Sequence, residues 1–401
     1  MDGDLEAAVC PQSARETLMT RTDINKSAVY FSRFDLNPWG DGGQRRALQV
    51  FRALADYGIQ HVPLARKSMA STLMDYLFAR LLGKWNAHTW QLLRRQFLTG
   101  GEYLKWSPRR RLFVCLLRSA ALDTARTLRA DEWQDRLALV DDPIFVCPLV
   151  RRLKRYGAGI VAVCHNIESL NRWQVTGRGQ AAIFRKEIEA LSLCDLVVTI
   201  SHEETAMLTG FGIAAAYLSY YPPSEAVSRL LRVRRQRCSS VKSSLLLFGS
   251  SGNASTLRGM ETVLHAWTEG LDGHFPGLEL RVAGFGTECL RETFSTLDNR
   301  VAFLGSLCQE ALEDEMVRAR ACICHQEEGS GSLTRIMDML VAGVPVLANR
   351  HAARTYHHLQ GVIEYERLDP RGDASKFAPS AAEFPVPKQP DISGLLARVS
   401  G

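Results

Sequence analysis

The sequence lacks several features that would define its class at once. A bilayer-spanning helix needs about 20 apolar residues, and the longest run without a charged residue, 205–224, is broken by glycines and by Pro222 and Pro223. The first 25 residues mix acidic and basic side chains without an apolar block, which favours neither a secretory signal nor a membrane anchor. No repeat of fixed period is present. We therefore expect a globular, cytoplasmic protein.

Disulfide and metal patterns are also missing. The ten cysteines are scattered through 401 residues, and several lie inside apolar runs, where cysteine behaves as a small buried apolar side chain. The tight cluster Cys322-Ile323-Cys324-His325 has no second ligand pair at zinc spacing. The single Asp-x-Asp, Asp2-Gly3-Asp4, lies in the polar N-terminal segment rather than at a strand end. The sequence therefore predicts no metal and no other cofactor.

Lysine is scarce, and the positive charge is concentrated. The chain has 9 Lys against 40 Arg, a usage associated with GC-rich bacterial genomes, and a formal net charge of +6. Residues 66–155 contain 18 basic and 8 acidic residues. Aromatic side chains accompany the arginine clusters there: Arg94, Arg95, Arg109, Arg110, Arg111, Arg151 and Arg152 alternate with Trp85, Trp90, Tyr103 and Trp106. This composition fits peripheral contact with an anionic membrane or a phosphate-bearing acceptor. An ordinary solvated helical face is the alternative, and no nucleic-acid-binding motif is present.

Short apolar strands alternate with amphipathic helices over most of the chain. In the first half, a strand at 27–34, a Gly-rich loop at 35–43 and a helix at 44–57 are followed by a mostly helical region from 71 to about 139 and a strand at 160–164. A second alternating series begins near Ser244. This rhythm predicts an α/β protein whose two parallel sheets are each covered on both faces, the arrangement of doubly wound, Rossmann-like domains.

The predicted divisions follow from breaks in this rhythm. They are a disordered N-terminus at 1–25, a first domain at 26–225, a linker at 226–243, a second domain at 244–368 and a Pro-rich tail at 369–401. The tail holds a third of the prolines in about twenty residues.

The most informative segment is the Gly-rich stretch 327–346. A glycine turn between a strand and a helix lets backbone N–H groups approach an anion, and the helix N-terminus adds about half a positive charge. Arg335 falls in the first helical turn, where its guanidinium can hold phosphate oxygens. Asp338 lies one turn later on roughly the same face, where a carboxylate can accept hydrogen bonds from a ribose diol. The alternative is a structural helix start with Arg335 and Asp338 as a surface ion pair.

This segment resembles the donor-binding signature of retaining glycosyltransferases of the GT-B fold, family 4. Gly329, Gly331, Arg335, Gly343 and Pro345 match it in order. The resemblance covers roughly residues 29–349 and implies two Rossmann-like doubly wound domains facing each other across a cleft, an acceptor-side domain first and a nucleotide-sugar-binding domain second. The family's ribose-holding glutamate corresponds to Asp338, which is one methylene shorter. Its first acidic residue corresponds to Glu328, with Glu327 as the alternative alignment.

Other segments match the family pattern in the same order. The Gly249-Ser250 loop and the helix containing Arg258 resemble its diphosphate site, although the family often has an arginine soon after the first glycine and residues 250–252 contain none. The Gly42-Gly43 loop resembles the loop that faces the donor phosphate, and the segment containing His165 resembles its His-Asn-x-Glu segment. By itself, a histidine that ends a strand is more often structural than catalytic. The short pair Gly284-x-Gly286 is a weak signal by itself.

The resemblance therefore assigns two groups of site residues. The predicted catalytic residues are His165, Glu328, Arg258 and Arg335. The predicted donor-binding residues are Gly42, Gly43, Gly249, Ser250, Gly284, Gly286, Gly329, Ser330, Gly331, Ser332, Leu333, Thr334 and Asp338. The implied reaction moves a sugar from a nucleotide-diphosphate sugar to a glycan or lipid-linked acceptor with retention of configuration.

Two other functions compete with this one. A non-catalytic relative could keep the fold and bind a nucleotide sugar or a partner enzyme, as the shortened acid at Asp338 and the missing arginine suggest. A dinucleotide oxidoreductase would share the doubly wound sheet. Its fingerprint needs Gly-x-Gly-x-x-Gly after the first strand, and the loop at 35–43 lacks that spacing.

Overall fold

A computed structural model describes residues 28–55, 58–64, 120–122, 124–170, 181–295, 297, 300–368 and 383–390. The N-terminal segment 1–25 and the arginine and tryptophan clusters predicted between residues 85 and 111 lie outside these ranges. In the described part of the chain, no helix has the length and apolarity needed to cross a membrane.

The first of two six-stranded sheets lies in the N-terminal half, and all its neighbouring strands pair in parallel. Its strands are β1 (Val29–Ser32), β2 (Gln60–Pro63), β3 (Leu137–Asp141), β4 (Gly159–Val163), β5 (Leu196–Thr199) and β6 (Ala215–Tyr217), in the order β2-β1-β3-β4-β5-β6. Its described helices are α1 (Gly42–Ala53), α2 (Ala130–Trp133), α3 (Pro143–Arg155), α4 (Ala181–Leu191) and α5 (His202–Gly210).

The second sheet is likewise parallel and lies in the C-terminal half. Its strands are β7 (Ser244–Phe248), β8 (Glu279–Ala283), β9 (Val301–Gly305), β10 (Ala319–Cys324), β11 (Val346–Asn349) and β12 (Val362–Tyr365), in the order β12-β11-β10-β7-β8-β9. The helices here are α6 (Ser224–Cys238), α7 (Ala254–Thr268), α8 (Glu288–Thr293), α9 (Gln309–Arg318), α10 (Thr334–Val341) and α11 (Arg350–Ala353), with a 3-10 helix at Leu271–His274.

Each sheet is buried on both faces, because successive strand residues enter different apolar clusters. In β1, Phe31 packs into one cluster and Tyr30 into another. In β7, Leu246 packs into one apolar cluster and Leu247 into another. Side chains alternate across a strand, so the near-continuous apolar strands read from the sequence require helices on both sides. The predicted α/β class with two doubly wound domains is confirmed.

Three segments differ in detail from the sequence analysis. Residues 137–139 were predicted as the end of a helical region but belong to β3, whose apolar side chains are buried between β1 and β4. The predicted linker at 226–243 is mostly α6, because Leu230 and Val233 are buried against the second domain. Residues 383–390 form neither helix nor strand, but Arg234 of α6 donates to the carbonyl of Phe384 at 2.6 Å.

The strand order fixes where a ligand site is expected. In a parallel sheet, a crevice opens at the carboxyl ends of the strands where the order reverses direction. That point lies between β1 and β3 in the first sheet and between β7 and β10 in the second. The loops leaving these four strands contain Gly42, Asp142, Gly249 and Gly329, so most of the predicted site follows from topology.

Candidate functional site

Three helix N-termini meet at the second sheet's reversal point. The helix α1 begins at Gly42 behind its N-cap Asp41, α7 begins behind Asn253, and α10 begins at Thr334. A β-carbon placed on Gly42 would lie 3.0 Å from Thr334 Oγ1, and one placed on Gly329 would lie 3.4 Å from Ser255 Oγ. The N-terminal ends of these three helices therefore lie close together, and the Asp41 side chain caps that of α1.

The glycines of this region are required by close backbone contact. A β-carbon on Gly284, whose φ is +131°, would lie 1.6 Å from the carbonyl oxygen of Gly249. On Gly249 it would lie 2.4 Å from Thr256 Cγ2, and on Gly286 2.2 Å from Ser251 Oγ. The loops after β7 and β8 thus touch through their backbones, and the N–H groups of Gly249 and Gly284 donate to the carbonyls of Ala283 and Gly305 at 3.1 and 2.8 Å.

Arg335 supplies the cation at this place. Its Nη1 donates to Thr256 Oγ1 at 3.3 Å and lies 3.9 Å from a β-carbon built on Gly249. Its buried Nε has no hydrogen-bond partner among the described residues. We call the loop 329–334, the starts of α7 and α10, and Arg335 the anion seat. Its composition suits a phosphate or diphosphate.

Two of the predicted catalytic residues bind each other beside the anion seat. Arg258 Nη1 donates to Glu328 Oε1, with 56% of the arginine side chain and 17% of the glutamate side chain exposed. The sequence left Glu327 as the alternative acid. Its carboxylate lies 3.4 Å from His325 Nε2 and is largely exposed. Of the two acids, Glu328 is therefore the one engaged by Arg258.

Asp338 is bound by an arginine of the other domain, which the sequence analysis did not foresee. Arg45 Nη1 donates to Asp338 Oδ2 at 2.8 Å, and Arg45 Nη2 donates to Oδ1 at 2.5 Å. The hydroxyl of Tyr220 donates to Oδ1 at 3.4 Å. Burial lowers the pKa of Arg45, but the charges of Asp338 and Tyr220 outweigh it and leave that pKa above its usual value. In this conformation the predicted ribose acid lies in an interdomain ion pair.

His165 lies directly against the Gly-rich turn of the second domain. A β-carbon on Gly331 would lie 2.9 Å from the His165 carbonyl oxygen, and Ser330 Oγ donates to the carbonyl of Ile167 at 3.3 Å. The His165 ring packs on Phe34 at 4.6 Å between centroids, and its Nε2 lies 3.5 Å from Asp141 Oδ1. The structure therefore brings the predicted histidine and the anion seat together.

The remaining predicted donor residues have several roles. Ser250 Oγ accepts from the N–H of Gly252 at 3.2 Å, and Gly43 is confined by the ring of Phe34. Leu333 is 9% exposed and packs in the apolar core, so only its backbone can serve a ligand. Ser332 has its hydroxyl oxygen buried without a hydrogen-bond partner among the described residues.

Arg354, which the sequence analysis missed, holds the Gly-rich turn in place. Its Nε donates to the carbonyl of Gly331 at 2.7 Å, its Nη2 to that of Ser330 at 2.9 Å and its Nη1 to that of His351 at 2.6 Å. Burial lowers the pKa of this guanidinium. These hydrogen bonds fix the backbone of the turn from one side. No motif marks this residue in the sequence.

Glu204 of the first domain lies beside the Gly-rich turn, where the backbone of Gly331 hydrogen-bonds to its carboxylate. Its Oε1 accepts from the N–H of Ile167 at 2.8 Å, and burial raises its pKa to about 7 against the opposing effects of that hydrogen bond and of Arg354.

Cys322 and Cys324, whose metal interpretation the sequence analysis set aside, are both buried, with their Sγ atoms 4.0 Å apart. Among the described residues there is no group of three or more His, Cys, Asp or Glu side chains placed to hold a metal ion.

The arrangement defines a class of fold: two doubly wound domains, each with its reversal point turned toward the other.

No protein-family model matches the sequence, and no curated protein matches it. Solved structures do. The chain is similar to the α,α-trehalose 6-phosphate synthase of Burkholderia multivorans, with TM-score 0.58 and 14% identity over 93% of this chain and 92% of that one.

Two further structures are similar over most of their length. The sucrose-phosphate synthase of Thermosynechococcus elongatus matches with TM-score 0.54 and 16% identity over 88% of each chain. The HepE protein of Anabaena, solved in complex with UDP, matches with TM-score 0.54 and 13% identity over 88% of this chain and 87% of that one. These similarities establish the fold, and the predicted GT-B architecture is confirmed.

Proposed function

We propose that the protein is a glycosyltransferase that moves a sugar from a nucleotide-diphosphate sugar to an acceptor, with retention of configuration and without a metal ion. One observation carries the proposal: helix N-termini and Arg335 lie together in the anion seat, and its Gly-rich turn lies against the backbone of His165 from the other domain. The HepE structure, similar in fold, is a complex with UDP, which supports a nucleotide diphosphate as the ligand.

The proposed transfer step requires negative charge on the departing diphosphate to be stabilised. When the anomeric C–O bond breaks, negative charge grows on the departing diphosphate, and prepositioned donors stabilise it by several kcal/mol in total. Arg335 and the N-terminal ends of α7 and α10 supply this stabilisation, and Arg258 adds a second cation at the edge. His165 contacts the donor sugar from the opposite domain. Cations of the chain itself take the place that a divalent metal has in other transferases.

A ligand panel tests the donor. Thermal unfolding is measured with uridine, adenosine, guanosine and thymidine diphosphates and with their sugars, since a ligand at about 100 times its dissociation constant adds about 2.7 kcal/mol of stability. Stabilisation by at least one nucleotide sugar, followed by release of its diphosphate on incubation with glycan acceptors, is expected. No stabilisation by any member of the panel would contradict the proposal.

A non-catalytic nucleotide-sugar binder is the second candidate, favoured by the engagement of Asp338 with Arg45. Slow hydrolysis of the donor distinguishes the two. The transferase should release diphosphate faster than its Arg258→Ala variant, whereas a binder should show the same background rate for both.

We propose a lipid-linked or polysaccharide precursor as the acceptor and a cytoplasmic location at the inner face of a bacterial membrane. The support is the basic, aromatic-rich sequence 66–155. Replacing Arg109, Arg110 and Arg111 by glutamate should weaken sedimentation with vesicles containing anionic lipid and leave neutral vesicles unaffected. Undiminished binding to anionic vesicles would remove the membrane from the proposal.

A further inference from the structure

The ion pair between Arg45 and Asp338 joins the two domains at the edge of the anion seat. The two guanidinium Nη atoms face the two carboxylate oxygens, the bidentate geometry that gives the strongest ion pairs. Exposure of the side chains is 17% for Arg45 and 10% for Asp338, so solvent screens the pair weakly. Arg45 also lies with its guanidinium 5.5 Å from the centre of the Tyr220 ring.

Because of its position in α1, Arg45 needs the Asp338 carboxylate as its counterion. It lies at the end of the first turn of α1, where the helix dipole disfavours a cation. Removing Asp338 from this guanidinium would leave a mostly buried charge without its counterion, which is costly. Asp338 is therefore held toward the first domain, and its short side chain limits how far the carboxylate can turn toward any other donor.

A ribose diol needs the same carboxylate. In the proposed function the donor ribose binds Asp338, which lies one turn after Arg335 on α10. Each Asp338 oxygen already accepts from Arg45, and Oδ1 also accepts from Tyr220. The ribose hydroxyls and Arg45 cannot both have full access to these oxygens.

We propose that Arg45 competes with the donor's ribose for Asp338 and so sets nucleotide affinity through this one carboxylate. Arg45 is then a positioning residue: it acts on the nucleotide through Asp338. The inference rests on the proposed function, because it requires a nucleoside diphosphate as ligand. It predicts that removing Arg45 raises the affinity for a ligand that contains the ribose and leaves the affinity for other ligands unchanged.

The test compares two probes by isothermal titration calorimetry. Inorganic pyrophosphate reports on the anion seat alone, while uridine, adenosine and guanosine diphosphates also carry the ribose. Arg45→Met removes the charge and keeps most of the length. It should tighten the best nucleoside diphosphate at least about threefold, since a larger fraction of the protein presents a free Asp338, and leave pyrophosphate unchanged.

Two further variants and a control sharpen the result. Asp338→Asn should weaken the nucleoside diphosphate without affecting pyrophosphate, and adding Arg45→Met to it should have no further effect. Arg45→Lys, which keeps the charge but not the bidentate fork, should fall between wild type and Arg45→Met. The control is Arg52→Met, which breaks a more exposed pair between Arg52 of α1 and Glu225 of α6 and should alter neither affinity.

The outcomes separate the two proposals. If wild type binds nucleoside diphosphates but Arg45→Met leaves the ratio of the two affinities unchanged, or weakens both ligands, the competition is refuted while the proposed function stands. Weakening of both ligands would mean that Arg45 contacts the diphosphate itself. If neither pyrophosphate nor any nucleoside diphosphate binds wild type, the proposed function fails and the competition fails with it.

Discussion

Arg258 and Glu328 form an ion pair that joins the second turn of α7 to the loop after β10, beside the anion seat. More than half of the Arg258 side chain is exposed, so the pair adds little to stability. The position of the pair matters more. It keeps the Arg258 guanidinium at the rim of the anion seat, where an arriving diphosphate can attract it away from Glu328.

Replacing Arg258 by alanine should therefore reduce turnover far more than stability. We expect kcat for sugar transfer, or for donor hydrolysis, to fall at least roughly tenfold, because one cation facing the leaving diphosphate is lost. Arg258→Lys keeps the charge and should lose less. The melting temperature should stay close to wild type in both variants. A kcat equal to wild type in Arg258→Ala would exclude this residue from leaving-group stabilisation.

Arg335→Ala should have a larger effect on activity than Arg258→Ala. Arg335 is less exposed and lies within the seat, next to Thr256 and Gly249, so we expect a loss in kcat greater than that of Arg258→Ala together with weaker pyrophosphate binding. Steady-state kinetics and calorimetry measure the two effects. Arg235→Ala, an exposed position on α6, is the matched control and should behave as wild type. Full turnover in Arg335→Ala would remove the anion seat from the mechanism.

Local patterns in the sequence predicted most of this site. Gly249 and Gly284 each follow a strand directly, and Gly329 lies in the loop that leaves β10. The alternation of strands and helices fixes which strand ends carry them. Arg335 could be assigned because it falls in the first turn of a helix that begins after a Gly-rich loop. These inferences need only residues close together in the chain.

The glycine pair at Gly284 and Gly249 offers a direct test of the close backbone contact. Gly284→Ala should destabilise the protein by at least about 2 kcal/mol, because its φ of +131° strains an alanine and the new β-carbon would lie 1.6 Å from the Gly249 carbonyl oxygen. Gly210→Ala, at the end of α5 with nothing within 4 Å, should be neutral or slightly stabilising. Urea unfolding measures both, and equal stabilities would contradict the contact.

Contacts between distant parts of the chain were not predictable in the same way. Arg45 and Asp338 are 293 residues apart, and nothing in either local sequence indicates that the two side chains meet. Arg354 follows a four-residue helix and matches no motif. Its role arises only because β11 and β10 are neighbours, which places it behind the Gly-rich turn. The helix α6 inside the predicted linker at 226–243 was missed for a different reason, because an arginine-rich sequence concealed a helix with a buried face.

Glu204 gives the interdomain contact a pH dependence. Burial raises its pKa in the folded protein to about 7, from an ordinary value of 4.5. Because the folded state then binds more protons than the unfolded state between these two values, stability should fall as pH rises from about 4.5 to about 7. One such group contributes up to about 3 kcal/mol over this range, by the conversion of about 1.4 kcal/mol per pKa unit.

Glu204→Gln should remove this contribution while keeping an oxygen that accepts from the N–H of Ile167. Urea unfolding at pH 5, 6, 7 and 8 should give a smaller decrease in stability for Glu204→Gln than for wild type. Glu203→Gln, the exposed neighbour on α5, should retain the wild-type slope. Because Glu187 also has a pKa raised to about 7 by burial, part of the slope should survive in Glu204→Gln. Identical slopes in wild type and Glu204→Gln would show that Glu204 does not gain a proton on folding in this range.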